Sequence, residues 1–354
     1  MQNKELSALA IQLLQQLIRT PSFSKEEAGT ATILENFFSE HQIPSQRLGN
    51  NVWASNLYFN PAKPTILLNS HHDTVRPNTH YTRDPFAAEI IGDKLFGLGS
   101  NDAGGPLVSL IATFLHFYKM ENLAYNVVLA ATAEEEISGT GGIESIWSQL
   151  PTIDVAVVGE PTLCQVATAE KGLMVLDCVA EGKAGHAARE EGVNAIYEAI
   201  KDIQWFQSYQ FPKVSTTLGP IKMSVTIINA GKQHNVVPAE CHYTVDVRVT
   251  DAYTLEEILE IIQQHVKSKI TPRSMRLRPS GIPENHPLVM AAKKLDMVCY
   301  GSPTTSDQAL IPTPSIKMGP GDSARSHSAD EFIYVNEISQ GINTYIQLLN
   351  EIVL

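Results

Sequence analysis

Apolar residues at Leu6, Leu9, Leu13, Leu14, Leu17 and Ile18 recur at the spacing of one helix face, and they predict an amphipathic helix over 6–19. The same period predicts helices over 28–41 and 104–120. Between and after them stand short runs that are apolar on successive residues, Ile66–Asn69, Val127–Ala131 and Val155–Val158. Such runs are what strands covered on both faces look like, so the chain up to about residue 165 reads as a helix-flanked, mostly parallel sheet. The rhythm then changes. From 168 to 277, Val175–Ala180, a helix near 192–209, Ser224–Ile228, the alternating Tyr243–Val249, a helix near 254–267 and Ser274–Leu277 spell β-α-β-β-α-β, the split, ferredoxin-like arrangement. After Pro279 come a helix beginning near His286, loops rich in Gly and Pro, and a last amphipathic helix from about 335 to 350 that would return to the first sheet. The expected fold class is α/β: a discontinuous catalytic domain (1–167 and 278–354) interrupted by a small α+β domain (168–277).

Composition narrows the function classes. The 354 residues carry 26 Lys and Arg against 38 Asp and Glu, a formal charge of −12, so no broad electrostatic footprint for nucleic acid or anionic lipid is expected. No apolar stretch approaches the ~20 residues of a membrane span, and the N-terminal helix lacks the features of a signal peptide. Cys164, Cys178, Cys241 and Cys299 are widely spaced and form no CxxC pair, which argues for reduced, mostly buried thiols and a cytoplasmic protein. Signatures of a nucleophilic serine, an H-E-x-x-H zincin, a P-loop and a dinucleotide fold are absent.

Ligands in open α/β sheets bind outside the carboxyl ends of strands, and the polar residues of this chain gather there. The first run ends in Ser70-His71-His72-Asp73, the second in Thr132-Ala133-Glu134-Glu135-Glu136 and the third in Gly159-Glu160-Pro161. Two loops join them, one with Asp102 among Gly97, Gly99, Gly104 and Gly105, the other running from Gly319 to His327. An HxD alone is ordinarily a surface turn, an acidic triplet a solvated loop and an Asp among glycines a turn former. Five such segments at one sheet edge are different, because converging carboxylates and imidazoles repel or compete unless a cation lies between them. Strand alternation places His71 and Asp73 on one side and His72 on the other, which favours His71 as ligand, with Asp73 either binding metal or orienting the imidazole. One glutamate of the triplet would bind metal while a neighbour handles protons; the pattern does not say which.

These segments resemble those of the di-zinc aminoacylase and carboxypeptidase family that includes acetylornithine deacetylase and succinyl-diaminopimelate desuccinylase. Ser70-His71-His72-Asp73-Thr74-Val75 is similar to its G-H-x-D-x-V, Gly97 to Gly105 to its G-x-G-x-x-D-x-K-G, Thr132 to Glu136 to its T-x-D-E-E, and Gly159-Glu160-Pro161-Thr162 to its G-E-P-[ST]; the His327 loop resembles its closing metal histidine. The resemblance covers nearly the whole chain. It implies two divalent ions, zinc first with cobalt or manganese as alternatives, one held by His71, Asp102 and Glu160 and the other by Asp102, Glu136 and His327. It further implies Glu135 as general base and Asp73 as the residue orienting His71. The inserted domain becomes a lid used for homodimerisation, in which His186 of Gly185-His186-Ala187-Ala188 reaches the partner subunit's site, while Asn235 and Arg248 hold the substrate carboxylate. There are three departures: Glu134 stands for the usual Asp and leaves the two adjacent glutamates in place, while Ala103 and Gly104 for the usual Met or Asn and Lys, and Arg76 before Pro77, touch the entrance loops.

The activity these expectations describe is hydrolysis of an amide joining an acyl group to an amino-acid nitrogen, on a small N-acylated substrate. Deacetylation of N-acetyl-ornithine comes first. A succinyl-amino-acid desuccinylase, a di- or tripeptide aminopeptidase and a non-catalytic metal-binding homologue are the alternatives.

Overall fold

The structure, a computed structural model, describes residues 3–353. Two compact units divide it. The first comprises the chain up to Thr168, Gly281–Tyr300 and the residues from Ser306 onward; the second comprises Ala169–Ser280 and Gly301–Thr305.

In the first unit the strands Asn126–Thr132, Thr65–His71, Val155–Gly159 and Ser315–Met318 lie side by side in that order, all parallel. The Gln46–Leu48 and Asn51–Ser55 hairpin adds an antiparallel edge beside Asn126–Thr132. Every residue of the three sequence-predicted strands is buried. Alternation splits them between two cores: Ile66, Leu68, Val127, Leu129 and Val157 join Leu13, Leu14, Phe114 and Ile342 of the flanking helices, whereas Leu67, Val128, Ala130, Ala156 and Val158 join Trp53, Ile143 and Ile146. Burying each such side chain contributes about 1.5–3 kcal/mol, so a one-residue slip of register would forfeit both cores at once. The register is thereby held with His71 opposite Thr132 and Asn69 opposite Val158, and all carboxyl ends fall at one edge. That edge is where the polar segments emerge.

The strand Ser315–Met318 lies inside the segment that sequence patterning reads as loop. Pro314 and Gly319 cut its run to four residues, and Lys317 interrupts the apolar pattern although it is buried.

The second unit is a four-stranded antiparallel sheet in the order Lys222–Ala230, Glu240–Val249, Gly172–Glu181, Lys269–Pro272, with helices Ala195–Ser208 and Leu255–His265. Alternate residues Met174, Leu176, Cys178 and Ala180 face a core shared with Ala195, Ala199, Phe206, Ile258 and Ile262. A capping box starts the second helix, Thr254 Oγ1 accepting from Glu257 N and Glu257 Oε2 from Thr254 N. The last strand is Lys269–Pro272, not the expected Ser274–Leu277. Beyond Pro272 the chain turns, Arg276 N donating to Ser274 Oγ and Arg278 N to the Arg276 carbonyl, so the alternation of Met275 and Leu277 belongs to no strand. All four cysteines are free thiols, and no helix among the described residues is long and apolar enough to cross a membrane.

Candidate metal centre

His71 is the last residue of its strand, so its ring projects from the carboxyl edge. The hydrogen bond between its Nδ1 and the Asp73 carbonyl (3.0 Å) can only be donated by Nδ1–H, which leaves the Nε2 lone pair for the other side. Nε2 faces Asp102 Oδ1 at 3.4 Å, Glu160 Oε1 at 3.7 Å and Glu135 Oε2 at 3.8 Å. It is buried and makes no hydrogen bond. An imidazole nitrogen without a partner, aimed at three carboxyl groups, fits a divalent cation among them, since borderline cations take this donor set. Two overlapping groups, His71 with Asp102 and Glu136, and His71 with Glu135 and Glu160, bring their donor atoms within 4.8 Å of one another.

Asp102 links this cluster to a second histidine. Its Oδ1 faces His71, and its Oδ2 lies 3.7 Å from His327 Nε2, which in turn is 2.9 Å from Glu136 Oε2. The Gly-rich loop makes the placement feasible: Gly99 takes φ +72°, and a Cβ there would meet the Thr74 side chain at 2.5 Å. The Asp102–Ala103 peptide is cis.

His72 points elsewhere. Its Nδ1 is hydrogen-bonded with Thr30 Oγ1 (2.9 Å) and its Nε2 with the Asn50 carbonyl (2.8 Å), a fully used, buried ring. Glu134 also leaves the cluster. With φ +57° its side chain turns back on the following loop, where Oε2 accepts from Gly141 N. That separates the triplet: Glu135 and Glu136 face the cluster, and Glu134 shapes the turn. Asp73 sits behind His71, its carboxylate accepting from Ser24 Oγ at 2.6 Å and from the main-chain N–H groups of Glu135 (3.1 Å) and Glu136 (3.2 Å).

The electrostatics match a crowded acidic site. Burial, reinforced by Glu160 and Glu136, holds Glu135 well above the ordinary carboxylate range against the pull of His71. Burial and then the charge of Asp102 push Glu160 up to about 8. For His71, burial favours the neutral ring, but Glu135, Asp102, Asp73 and Glu160 together outweigh it and raise its pKa. The hydrogen bond with Glu136 raises His327 to about 9.

In the second unit, Gly185–His186 pairs with Val236–Val237 in a short ribbon, and Ala187 N donates to the Asn235 carbonyl, so His186 and Asn235 are neighbours. His186 Nδ1 accepts from Ala188 N, which places the proton of the neutral ring on Nε2. Arg248 is engaged. Nε and Nη2 donate to the two oxygens of Asp246 (2.8 and 3.0 Å) and Nη1 to Thr305 Oγ1. One N–H on each terminal nitrogen remains for another acceptor.

Among the buried acids that sequence patterning did not single out, Glu331 and Asp307 bear on the cluster. Glu331 takes three main-chain N–H groups of the Asp102 loop, and burial pushes it up to about 8. Asp307 accepts from Thr132 Oγ1 at 2.7 Å, and burial raises it to about 6. Asp330-Glu331 follows His327 closely, and a pair of acids there was the available signal; Asp307 gave none.

The chain is 27% identical over 359 residues to an acetylornithine deacetylase from Buchnera aphidicola subsp. Schizaphis graminum, covering 91% of this chain and 92% of that protein. Its fold is similar to that of the aminopeptidase PepT from Bacillus cereus ATCC 10987, with TM-score 0.77 at 16% identity over 98% of both chains. It is similar as well to a dinuclear metal-binding peptidase of the M20 family from Bacillus subtilis, with TM-score 0.74 at 16% identity over 98% of both chains. Residues 67–351 match the model of peptidase family M20/M25/M40, and the chain belongs to that family.

Proposed function

We propose that this protein is a metal-dependent amidohydrolase that removes the acyl group from the nitrogen of a small N-acylated amino acid, with N-acetyl-ornithine as the foremost substrate. The observation that carries the reading is the buried, unpartnered His71 Nε2 facing three carboxylates. The similarity to acetylornithine deacetylase supports the substrate class.

His71, Asp102 and Glu160 would hold one divalent ion, and Asp102, Glu136 and His327 the other, with zinc the first choice and cobalt or manganese compatible with the same donors. When bound, such ions supply Lewis acidity, lowering the pKa of water toward neutrality and polarising a carbonyl. Glu135 has the properties of the proton carrier. It is half-buried, its pKa is raised, and it takes a proton from the attacking water and returns it to the leaving amine. Asp73 fixes the ring of His71 from behind. Nε2–H of His186, reaching across to the site of the other copy in a homodimer, would donate to the carbonyl oxygen as negative charge develops on it. The unused edge of the Arg248 guanidinium receives the α-carboxylate, with Asn235 assisting.

The second unit is also the proposed homodimer surface: its edge strand exposes Ile227 and Ile228, and its helix exposes Tyr197 and Ile200. The deciding experiment is a side-by-side assay of acetyl-ornithine, succinyl-ornithine, succinyl-diaminopimelate and tripeptides with zinc, cobalt or manganese present. Release of amine from acetyl-ornithine above the others supports the reading. Preference for a succinyl substrate or a tripeptide replaces the substrate, and turnover of none with two metals bound overturns the activity.

A further inference from the structure

The Asp102 loop carries a carboxylate with one oxygen toward each histidine, Oδ1 toward His71 and Oδ2 toward His327, yet it is a Gly-rich segment with few side chains of its own to hold it. What holds it is Glu331. This side chain is 2% exposed, and its two oxygens take three backbone donors: Oε2 accepts from Gly99 N, and Oε1 from Asn101 N and Asp102 N, each at 2.9 Å. Gly97 N donates to the Glu331 carbonyl as well, also at 2.9 Å. A second tie lies nearby. Asn101 Nδ2 donates to the Asp322 carbonyl and Asn101 Oδ1 accepts from Asp322 N, both at 3.0 Å. The loop of Asp102 and the segment 322–331, which contains His327, are therefore bolted together on both sides of the 3.7 Å gap between Asp102 Oδ2 and His327 Nε2. With the peptide groups preceding Asp102 fixed in this way, little beyond its side-chain rotamer is left to vary.

We infer that Glu331 is a positioning residue for the metal centre: it sets the place of the Asp102 carboxylate and locks it to His327, so that the second divalent ion meets a preformed pair. The inference rests on the metal-dependent reading above. It parallels the arrangement at Asp73, another buried acid that grips the main chain of two residues facing the cluster. A carboxylate suits the task because three N–H groups demand acceptors on both sides of the group. Glutamine offers only one acceptor oxygen and turns its amide N–H toward at least one of the donors, while nearly preserving shape and volume. Aspartate keeps the charge but is one methylene too short to reach both sets of donors.

The test is zinc binding, measured by titration of the chelator-stripped full-length protein against a competing chelator, for the wild type, Glu331→Gln, Glu331→Asp and Asp330→Asn. The Asp330 carboxylate accepts from Thr82 N, Thr82 Oγ1 and Arg83 N of a neighbouring loop, so its variant reports a merely structural contribution of the segment. The expected result is two equivalents in the wild type and Asp330→Asn, with the second equivalent weakened roughly 10–100-fold in both Glu331 variants. Excess zinc should restore part of kcat in those variants at unchanged KM. Two equivalents of undiminished affinity in Glu331→Gln would overturn the inference while leaving the metal reading intact; a wild type that binds none overturns both. Should the Glu331 variants not fold, hydrogen exchange on the metal-free wild type decides. Protection of the Gly99, Asn101 and Asp102 amides supports the clamp, and exchange at the rate of open loops refutes it.

Discussion

Asp73 holds the main chain of Glu135: its Oδ1 accepts the Glu135 N–H at 3.1 Å while the same carboxylate stands 3.4 Å from His71 Nδ1. One buried acid thus sets both a metal-facing ring and the backbone of the proposed proton carrier. Burial alone would raise the Asp73 pKa, but His71 and Ser24 overcome it and hold the group below its usual value, so it remains an acceptor. Asp73→Asn should lower kcat about 10–100-fold with a smaller effect on KM, because it disturbs orientation rather than substrate contacts. An unchanged kcat with full metal occupancy would remove Asp73 from the centre.

Replacing Glu135 tests the proton carrier itself. Glu135→Gln should retain both metal equivalents and bind substrate normally while turnover falls about 10²–10⁴-fold. The check is single-turnover hydrolysis beside elemental analysis, and near-normal turnover in the fully loaded variant excludes the assignment.

The two adjacent histidines should fail in different ways. His71→Ala should lose a metal equivalent, since its Nε2 faces the carboxylates. His72→Ala strands Thr30 and Asn50 in a buried place and should cost about 1–3 kcal/mol of stability with metal content preserved. Thermal unfolding and metal analysis of both variants separate the two losses, and equal metal loss in each would contradict this geometry.

Protons and metal should compete for the site. Glu160, raised from 4.5 to about 8, and His327, raised from 6.5 to about 9, hold protons more tightly folded than unfolded. Their contribution to the stability of the metal-free protein is complete below the unfolded values and is lost as pH rises through about 8 and about 9. The Tm of chelator-treated protein should therefore fall between pH 6.5 and 9, and zinc added at pH 7 in weak buffer should release protons. A flat Tm across that interval, or metal uptake without acidification, would count against the buried cluster.

Much of the architecture was legible in the chain because burial on both faces imposes a pattern that no loop needs. Val127–Ala131 is apolar throughout for that reason, and the polar residues immediately after each such run mark the carboxyl edge. The strand Ser315–Met318 escaped notice because Lys317 sits within it, and the Ser274–Leu277 alternation misled because a turn had already ended the sheet. Residue type and order nominated His71, Asp102, the triplet Glu134-Glu135-Glu136, Glu160 and His327 as a group, and the family resemblance supplied the roles within it.

What the amino-acid order could not convey is which groups meet across long separations. Glu331 and Asp102 are 229 positions apart, and Asp307 reaches Thr132 over 175. Local periodicity carries no information about such encounters, since they arise only when the parallel strands bring their ends to one edge. Hydrophobic patterning, a short-range property, determined the elements and the edge where chemistry gathers. Close packing of those elements decided the rest: that Glu134 turns away, that His72 spends both nitrogens on its neighbours, and that buried carboxylates grip the backbone beneath the candidate ligands.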